Sequence, residues 1–396
     1  LSRDAIPVLW LCGPPGVGKT AVGWELFSRF THAGVQTAYV DIDQLGMCSP
    51  ESASDPGRHW MKARNLGALV ANFGRAGARC VIVSGVVDAE AGVPLDQLPD
   101  AAVTLCRLRA GRGDLKRRLE ARGGRGDDAM EDVLREADAL DASDLADVCV
   151  DTSGLPVAEV ALLVRERTGG WPAVTGPSRP SAGTAPDGHS VIAADGRILW
   201  LCGATGVGKS TVGFAVYQKA LRAGHTAAYV DVGQLGFCGP VMADDPGNHR
   251  VKARNLAALW QTYRAAGAQC VIVVGPVEDE AAIRTYADEL PAATVTLCRL
   301  HASRDRLARR ITQRGQGGSW AQPGDPLRGQ STAHLLRVAD EAATDADALE
   351  RAAIGDLRID TDERTVEEAA DAIVARAGWT RSAGRTSHTG EDRKFR

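Results

Sequence analysis

Long apolar runs are missing from this chain. No stretch approaches the roughly 18–20 residues that a membrane-spanning helix needs. The first residues also lack the charged, then apolar, then small order of a secretory leader, so the expectation is a cytoplasmic protein without a membrane partner. Charge of one sign is lacking too. With 46 Lys and Arg against 50 Asp and Glu, the formal net charge is −4. That gives no electrostatic case for a nucleic-acid partner. Nine cysteines are present, but no C-x-x-C spacing is, which argues against a zinc or redox site. Cys12, Cys48, Cys80 and Cys106 return as Cys202, Cys238, Cys270 and Cys298, leaving Cys149 without a counterpart. Thiols at such apolar positions are expected in the core of a protein from a reducing compartment.

What is present is ordinary soluble-globular composition, 44% hydrophobic and 24% charged over 396 residues, enough for two or three domains. The dominant feature is an internal repeat. LWLCGPPGVGKT, ending at Thr20, returns as LWLCGATGVGKS, ending at Ser210. AYVDIDQLGMC returns as AYVDVGQLGFC, and DPGRHWMKARNLGAL as DPGNHRVKARNLAAL. A unit this long is too large for a solenoid repeat, so the expectation is two duplicated domains, residues 1–171 and 197–380. Between them, residues 172–196 are rich in Pro, Gly, Ser and Thr and read as a flexible linker. Residues 381–396 are polar without a core pattern and read as a disordered tail.

Within the first unit, strands are expected at 6–12, 37–40, 80–84, 102–105 and 148–150. Helices are expected at 19–32, from Asp55 as N-cap with Pro56 at the first helical position to about 77, at 114–122, and at 156–167. Nearly all-apolar strands alternating with helices imply α/β architecture, a doubly wound parallel five-stranded sheet in each unit.

Two segments satisfy G-x-x-x-x-G-K-[ST]: Gly13, Gly16, Val17, Gly18, Lys19 and Thr20 in the first unit, and Gly203, Gly206, Val207, Gly208, Lys209 and Ser210 in the second. Glycines let the loop curl so that backbone N–H groups point at phosphate oxygens, and the following helix presents its positive end to the same anion. The lysine reaches the outer phosphates while the hydroxyl serves magnesium. The implied ligands are ATP, or a close relative, and Mg.

No N-K-x-D guanine-reading motif is present, which argues against a GTPase. Strand 80–84 lacks the acid that follows the corresponding strand in motor-type and transporter-type ATPases. Asp88, Glu278 and Asp279 come later and read as solvated loop charges. The acids follow the second strand instead: Asp41 and Asp43 in the first unit, Asp231 alone in the second, where Gly233 stands at the place of Asp43.

This pattern resembles the small P-loop kinases: adenylylsulfate, shikimate and gluconate kinases and chloramphenicol phosphotransferase. The likeness rests on the P-loop, Asp41-Ile-Asp43, Leu115-x-x-Arg118-x-x-x-Arg122, and Asp151-Thr-Ser. The segments LWLCG and KARNLGALVANFGRAGARCVIVSG are most similar to adenylylsulfate kinase. That enzyme's D-G-D-N stretch is absent here, so its substrate is not implied. The resemblance implies that Asp41 (and Asp231) supports magnesium and that Asp43 orients or deprotonates an acceptor hydroxyl, with strand order 2-3-1-4-5. It also implies lid arginines, for which Arg112, Arg118, Arg122, Arg304, Arg310 and Arg314 are candidates. A solvated charged face is the alternative.

Helical spacing puts His59 and Lys62 on the stripe that holds Leu66, Leu69, Val70 and Phe73, but in its first two turns, above the carboxyl edge of the sheet where such folds bind ligands. His249 and Lys252 repeat this, while Arg64 and Arg254 fall on the opposite face. All six are acceptor-contact candidates, with the geometry favouring Lys62 over Arg64. The combined expectation is ATP- and Mg-dependent phosphorylation of a small-molecule hydroxyl, mainly by the first unit. The alternative is a nucleotide-responsive regulatory protein. The acceptor and the oligomeric state are not legible from the sequence.

Overall fold

Apolar runs near the start of each half become the central strands of two sheets. In the first half the computed structural model shows β1 (Ile6–Cys12), α1 (Lys19–His32), β2 (Thr37–Asp41), β3 (Cys48–Ser49), α2 (His59–Arg75), β4 (Cys80–Ser84), β5 (Ala101–Arg109), α3 (Arg112–Glu120), α4 (Asp127–Ala142), β6 (Val148–Asp151) and α5 (Val157–Arg167). In the second half follow β7 (Gly196–Cys202), α6 (Lys209–Arg222), β8 (Ala227–Asp231), β9 (Cys238–Gly239), α7 (His249–Ala265), β10 (Cys270–Val274), α8 (Glu280–Glu289), β11 (Ala293–His301), α9 (Arg304–Gly315), α10 (Thr332–Arg351), β12 (Leu357–Asp360) and α11 (Val366–Arg376). The structure describes residues 5–121, 127–172, 196–317 and 325–378. Arg122, residues 173–195 of the expected linker and the expected tail lie outside the described residues.

Five strands in each half are parallel, in the orders β6-β5-β1-β4-β2 and β12-β11-β7-β10-β8. Each sheet has six strands rather than the expected five, because the halves exchange edges. Strand β3 of the first half pairs antiparallel with β8, Cys48 opposite Ala228. Strand β9 of the second half pairs antiparallel with β2, Cys238 opposite Ala38. The exchange satisfies backbone groups that a bare edge would leave open: Tyr39 N–H donates to Phe237 O at 2.9 Å, and Tyr229 N–H to Met47 O at 2.8 Å.

Helices α2 and α7 pack against each other between the two sheets. One continuous core cluster holds Leu66, Leu69, Val70 and Phe73 of α2 together with Leu256, Leu259, Trp260 and Tyr263 of α7. Each fully buried side chain of this size contributes roughly 1.5–3 kcal/mol. Polar groups inside it are paired across the halves. Asn72 Nδ2 donates to Asn255 Oδ1 at 2.9 Å, and the Tyr263 hydroxyl donates to Leu45 O at 3.0 Å. Phe237 reaches from the second half into the aromatic group of Trp24, Phe27 and Tyr39, with its ring 4.9 Å from that of Trp24. The two remaining core clusters cover the outer sheet faces.

Helix α2 starts at His59, later than expected. Gly57 (φ 69°) and Arg58 (φ 56°) adopt left-handed backbone and break the turn begun at Pro56. Asp55 still caps the helix from upstream, accepting from Trp60 N–H and Met61 N–H, both at 3.0 Å. Asp245 does the same for His249 and Arg250. Eight cysteines are buried and free and Cys149 is exposed and free. Among the described residues no helix is long and apolar enough to cross a membrane, and no group of three or more His, Cys, Asp or Glu has metal-site geometry.

Candidate phosphate-binding and acceptor site

The phosphate loop lies between β1 and α1, and its copy between β7 and α6. Gly13 (φ 137°) is required here twice over, because its backbone is left-handed and a Cβ would collide with Leu108 O. Gly18 and Gly208, at φ 108° and 102°, turn the chain into the helix, so the first helical N–H groups face the loop's concavity. In each half the loop lysine folds over its own loop. Lys19 Nζ donates to Gly13 O at 2.6 Å and to Pro14 O at 3.0 Å, and Lys209 Nζ to Gly203 O at 2.8 Å and to Ala204 O at 3.0 Å. Burial lowers the Lys19 ammonium from its ordinary value, opposed most by Asp43. Burial also lowers Lys209, to about 8, opposed most by Asp231. A desolvated cation in a ring of backbone dipoles suits an incoming polyphosphate, whose negative charge would offset the lost solvation.

The acids come off the end of β2. The Asp41 carboxylate accepts from Asp43 N–H at 3.1 Å, closing a short turn that fixes both side chains. Burial raises the Asp41 carboxyl to about 6; the Asp43 carboxylate adds to this, and the Asp43 N–H, Lys19 and Lys62 oppose it. Asp43 Oδ1 accepts from Lys62 Nζ at 3.0 Å. The Lys62 stem lies against Gly46, where a Cβ would strike it. His59 Nε2 lies 3.9 Å from Asp88. Lys62 therefore faces the acid turn, and His59 the loop after β4. Arg64 lies on the exposed side, its guanidinium over the Trp60 ring.

In the second half Asp231 accepts from Gly233 N–H at 2.9 Å and from the Ser210 hydroxyl at 3.2 Å. Lys252 and His249 hold the places of Lys62 and His59, and Arg254 is exposed near Glu289, at 3.5 Å. His249 Nε2 lies 3.1 Å from Glu278 and its Nδ1 3.2 Å from the Tyr286 hydroxyl. Neither contact was legible beforehand, since each joins loops or helices distant in sequence.

The lid candidates divide into two sets. Arg118 reaches under the phosphate loop, donating to Val17 O at 3.0 Å, to Thr152 Oγ1 at 3.0 Å and to Thr152 O at 2.6 Å. Arg310 repeats this on Val207 O, Thr361 Oγ1 and Thr361 O. The sequence reading missed Thr152 and Thr361, although Asp151-Thr-Ser had marked the segment. By contrast, Arg112 and Arg304 make exposed ion pairs with Asp138 and Asp340. Arg314 is tied to Asp325 at 2.8 Å. A cleft of about 750 Å³ opens on the second phosphate loop, walled by Arg310, Arg314, Thr361 and Arg364. It is wide enough for a nucleotide.

Residues 8–143 match the family model described as an AAA domain. No curated protein matches the chain with significant similarity. Among solved structures it is similar to the tunicamycin resistance protein of Deinococcus radiodurans (19% identity, 46% of this chain and 96% of that one, TM-score 0.33). It is also similar to a gluconokinase from Sinorhizobium meliloti 1021 (18%, 46% and 93%, TM-score 0.31). A third is the Mycobacterium tuberculosis APS kinase, in complex with AMPPNP and APS (17%, 46% and 98%, TM-score 0.30). The described strands form two parallel-dominated α/β sheets, and residues 8–143 of the chain are similar to the AAA domain model.

Proposed function

We propose that this chain is an ATP- and magnesium-dependent phosphotransferase acting on a hydroxyl of a small molecule. We read it as two copies of one P-loop kinase-like domain, residues 1–171 and 197–380, with the Asp43-based chemistry in the first. The observation that carries this reading is the Asp43–Lys62 pair at 3.0 Å beside a carboxylate, Asp41, and a buried loop lysine, Lys19. Phosphoryl transfer needs positioning and charge neutralisation with one carboxylate near the nucleophile, and these groups meet that need.

Magnesium fits the residues present. In the second half a hydroxyl and a carboxylate, Ser210 and Asp231, converge at 3.2 Å, the hard oxygen donors this cation prefers. Thr20 and Asp41 are the corresponding pair in the first half. When bound, magnesium supplies charge neutralisation on the phosphates. Lys19 and the loop N–H groups would bind and orient the polyphosphate. Asp43 would take the proton of the acceptor hydroxyl, while Lys62 keeps its carboxylate aimed. His59, with Lys62, offers contacts to the acceptor. Arg118 would hold the phosphate loop in shape through Val17 O.

A second reading is favoured by Gly233: the second half binds nucleotide and regulates the first, to which it is locked by exchanged strands. The test is ATP consumption by the full chain, and by its Lys19→Ala and Lys209→Ala variants, across nucleosides, sugars and amino sugars. Transfer by the chain that retains Lys19 supports the phosphotransferase. ATP binding with no transfer by any of them supports the regulatory reading.

A further inference from the structure

The two halves place their carboxylates differently around the same lysine. In the first half Lys62 meets Asp43, and Asp88, at the place of Glu278 in the loop after β4, accepts from Glu90 N–H at 2.8 Å and Ala91 N–H at 2.7 Å through one oxygen while the other lies 3.9 Å from His59 Nε2. In the second half Gly233 removes the carboxylate after β8, and the loop after β10 carries two acids in sequence. Asp279 takes the capping duty, accepting from Ala282 N–H at 2.8 Å at the start of α8. Its neighbour Glu278 is left to His249, with Oε2 3.1 Å from His249 Nε2. The Tyr286 hydroxyl on α8 holds the other ring nitrogen, so the imidazole is fixed from both sides. Lys252, the counterpart of Lys62, takes its largest electrostatic attraction from Glu278, ahead of Asp245 and Asp231. Glu278 also acts on Lys209 of the phosphate loop. The Glu278 side chain keeps 57% exposure, so an incoming molecule can reach it.

We propose that Glu278 is a catalytic residue of the second half, the base that receives the proton of an acceptor hydroxyl there, with His249 and Tyr286 as its positioning residues. The proposal rests on the phosphotransferase reading and alters its division of labour. In the step, the acceptor oxygen bonds to the γ-phosphorus of ATP. The bond from that phosphorus to the β–γ bridging oxygen breaks, and ADP leaves with the electron pair. The hydroxyl proton passes to the Glu278 carboxylate. Glu278 comes from the loop after β10, whereas Asp43 comes from the turn after β2.

The experiment uses the full chain carrying Lys19→Ala, which leaves the second phosphate loop as the intact one. Radiolabelled ATP with magnesium is supplied together with a mixture of nucleosides, sugars and amino sugars, and label transfer to these and to water is followed. The expected result is measurable transfer that Glu278→Gln lowers about 10²–10⁴-fold at nearly unchanged ATP affinity. Adding Gly233→Asp to Glu278→Gln should recover turnover by about tenfold or more, a rescue that a structural role for Glu278 would not permit. Undiminished transfer in Glu278→Gln overturns the assignment. So does an inert Lys19→Ala chain alongside an active Lys209→Ala chain, an outcome that leaves the phosphotransferase reading standing. If the unsubstituted chain transfers nothing either, both fall together.

Discussion

The two halves agree closely at the phosphate loop and part company at the acid side. Gly13, Gly18 and Lys19 find their counterparts in Gly203, Gly208 and Lys209, with matching left-handed glycines and matching lysine contacts. Arg118 and Arg310 brace the two loops through equivalent bonds. Beyond the loop the likeness ends: Lys62 pairs with Asp43, whereas in the second half Glu278, from another loop, pairs with His249. The physical reason lies in what each task requires. A phosphate cradle needs a particular backbone path, which few residues can follow. A carboxylate can be delivered to the same place by any loop at the carboxyl edge of the sheet.

The largest expected effect breaks the agreement. Lys19→Ala and Lys209→Ala should each abolish one nucleotide site and spare the other. Calorimetric titration with ATP and magnesium should then fall from two equivalents bound to one. Loss of both sites in a folded single variant would mean that the cradles are not independent.

The next largest effect concerns what joins the halves. Asn255 is fully buried, bonds Leu235 O at 2.8 Å and receives a bond from Asn72 across the boundary. Asn255→Ala leaves two buried polar groups without partners, each costing about 1–3 kcal/mol. Because β3, β9, α2 and α7 interlock the halves, thermal unfolding should shift as one transition. A shift confined to the second half would contradict a shared core. By the same logic, cleavage at a protease site inserted in 173–195 should leave the halves in one particle on gel filtration.

The smallest effect separates neighbours on one helix. Lys62→Met removes the partner of Asp43 and should lower turnover about tenfold, the scale of one lost charge contact of roughly 1.4 kcal/mol. Arg64→Ala lies on the exposed face and should change stability by no more than about 0.5 kcal/mol and turnover little. Steady-state rates of the two variants in a Lys209→Ala chain make the comparison. Equal losses would place Arg64 at the acceptor as well.

The parts legible in the sequence were those carried by local pattern. Strands buried on both faces read as apolar runs, and the phosphate loops read from glycine spacing. The three-residue step from His59 to Lys62 put both on one helix face, and Lys62 meets Asp43 at 3.0 Å. Strands β3 and β9 were invisible, since two residues have no periodicity and their partners lie in the other half. The start of α2 was misjudged because Asp55 caps it from beyond a broken turn at Gly57 and Arg58. Helices α4 and α10 were not anticipated. Glu278 read as a solvated loop charge; its contact with His249, which Tyr286 also meets, depends on how α7 and α8 pack.

The central claim is that a carboxylate at the end of β2 accepts the acceptor's proton in the first half. It is tested most directly by Asp43→Asn in a full chain already carrying Lys209→Ala, once the panel of hydroxyl compounds has yielded an acceptor. Single-turnover phosphate transfer is followed, and ATP affinity is measured on the same sample. The account predicts a rate lowered about 10²–10⁴-fold, about 3–5 kcal/mol of barrier, with ATP affinity nearly unchanged. Transfer at the parent rate would contradict it and remove Asp43 from the chemistry.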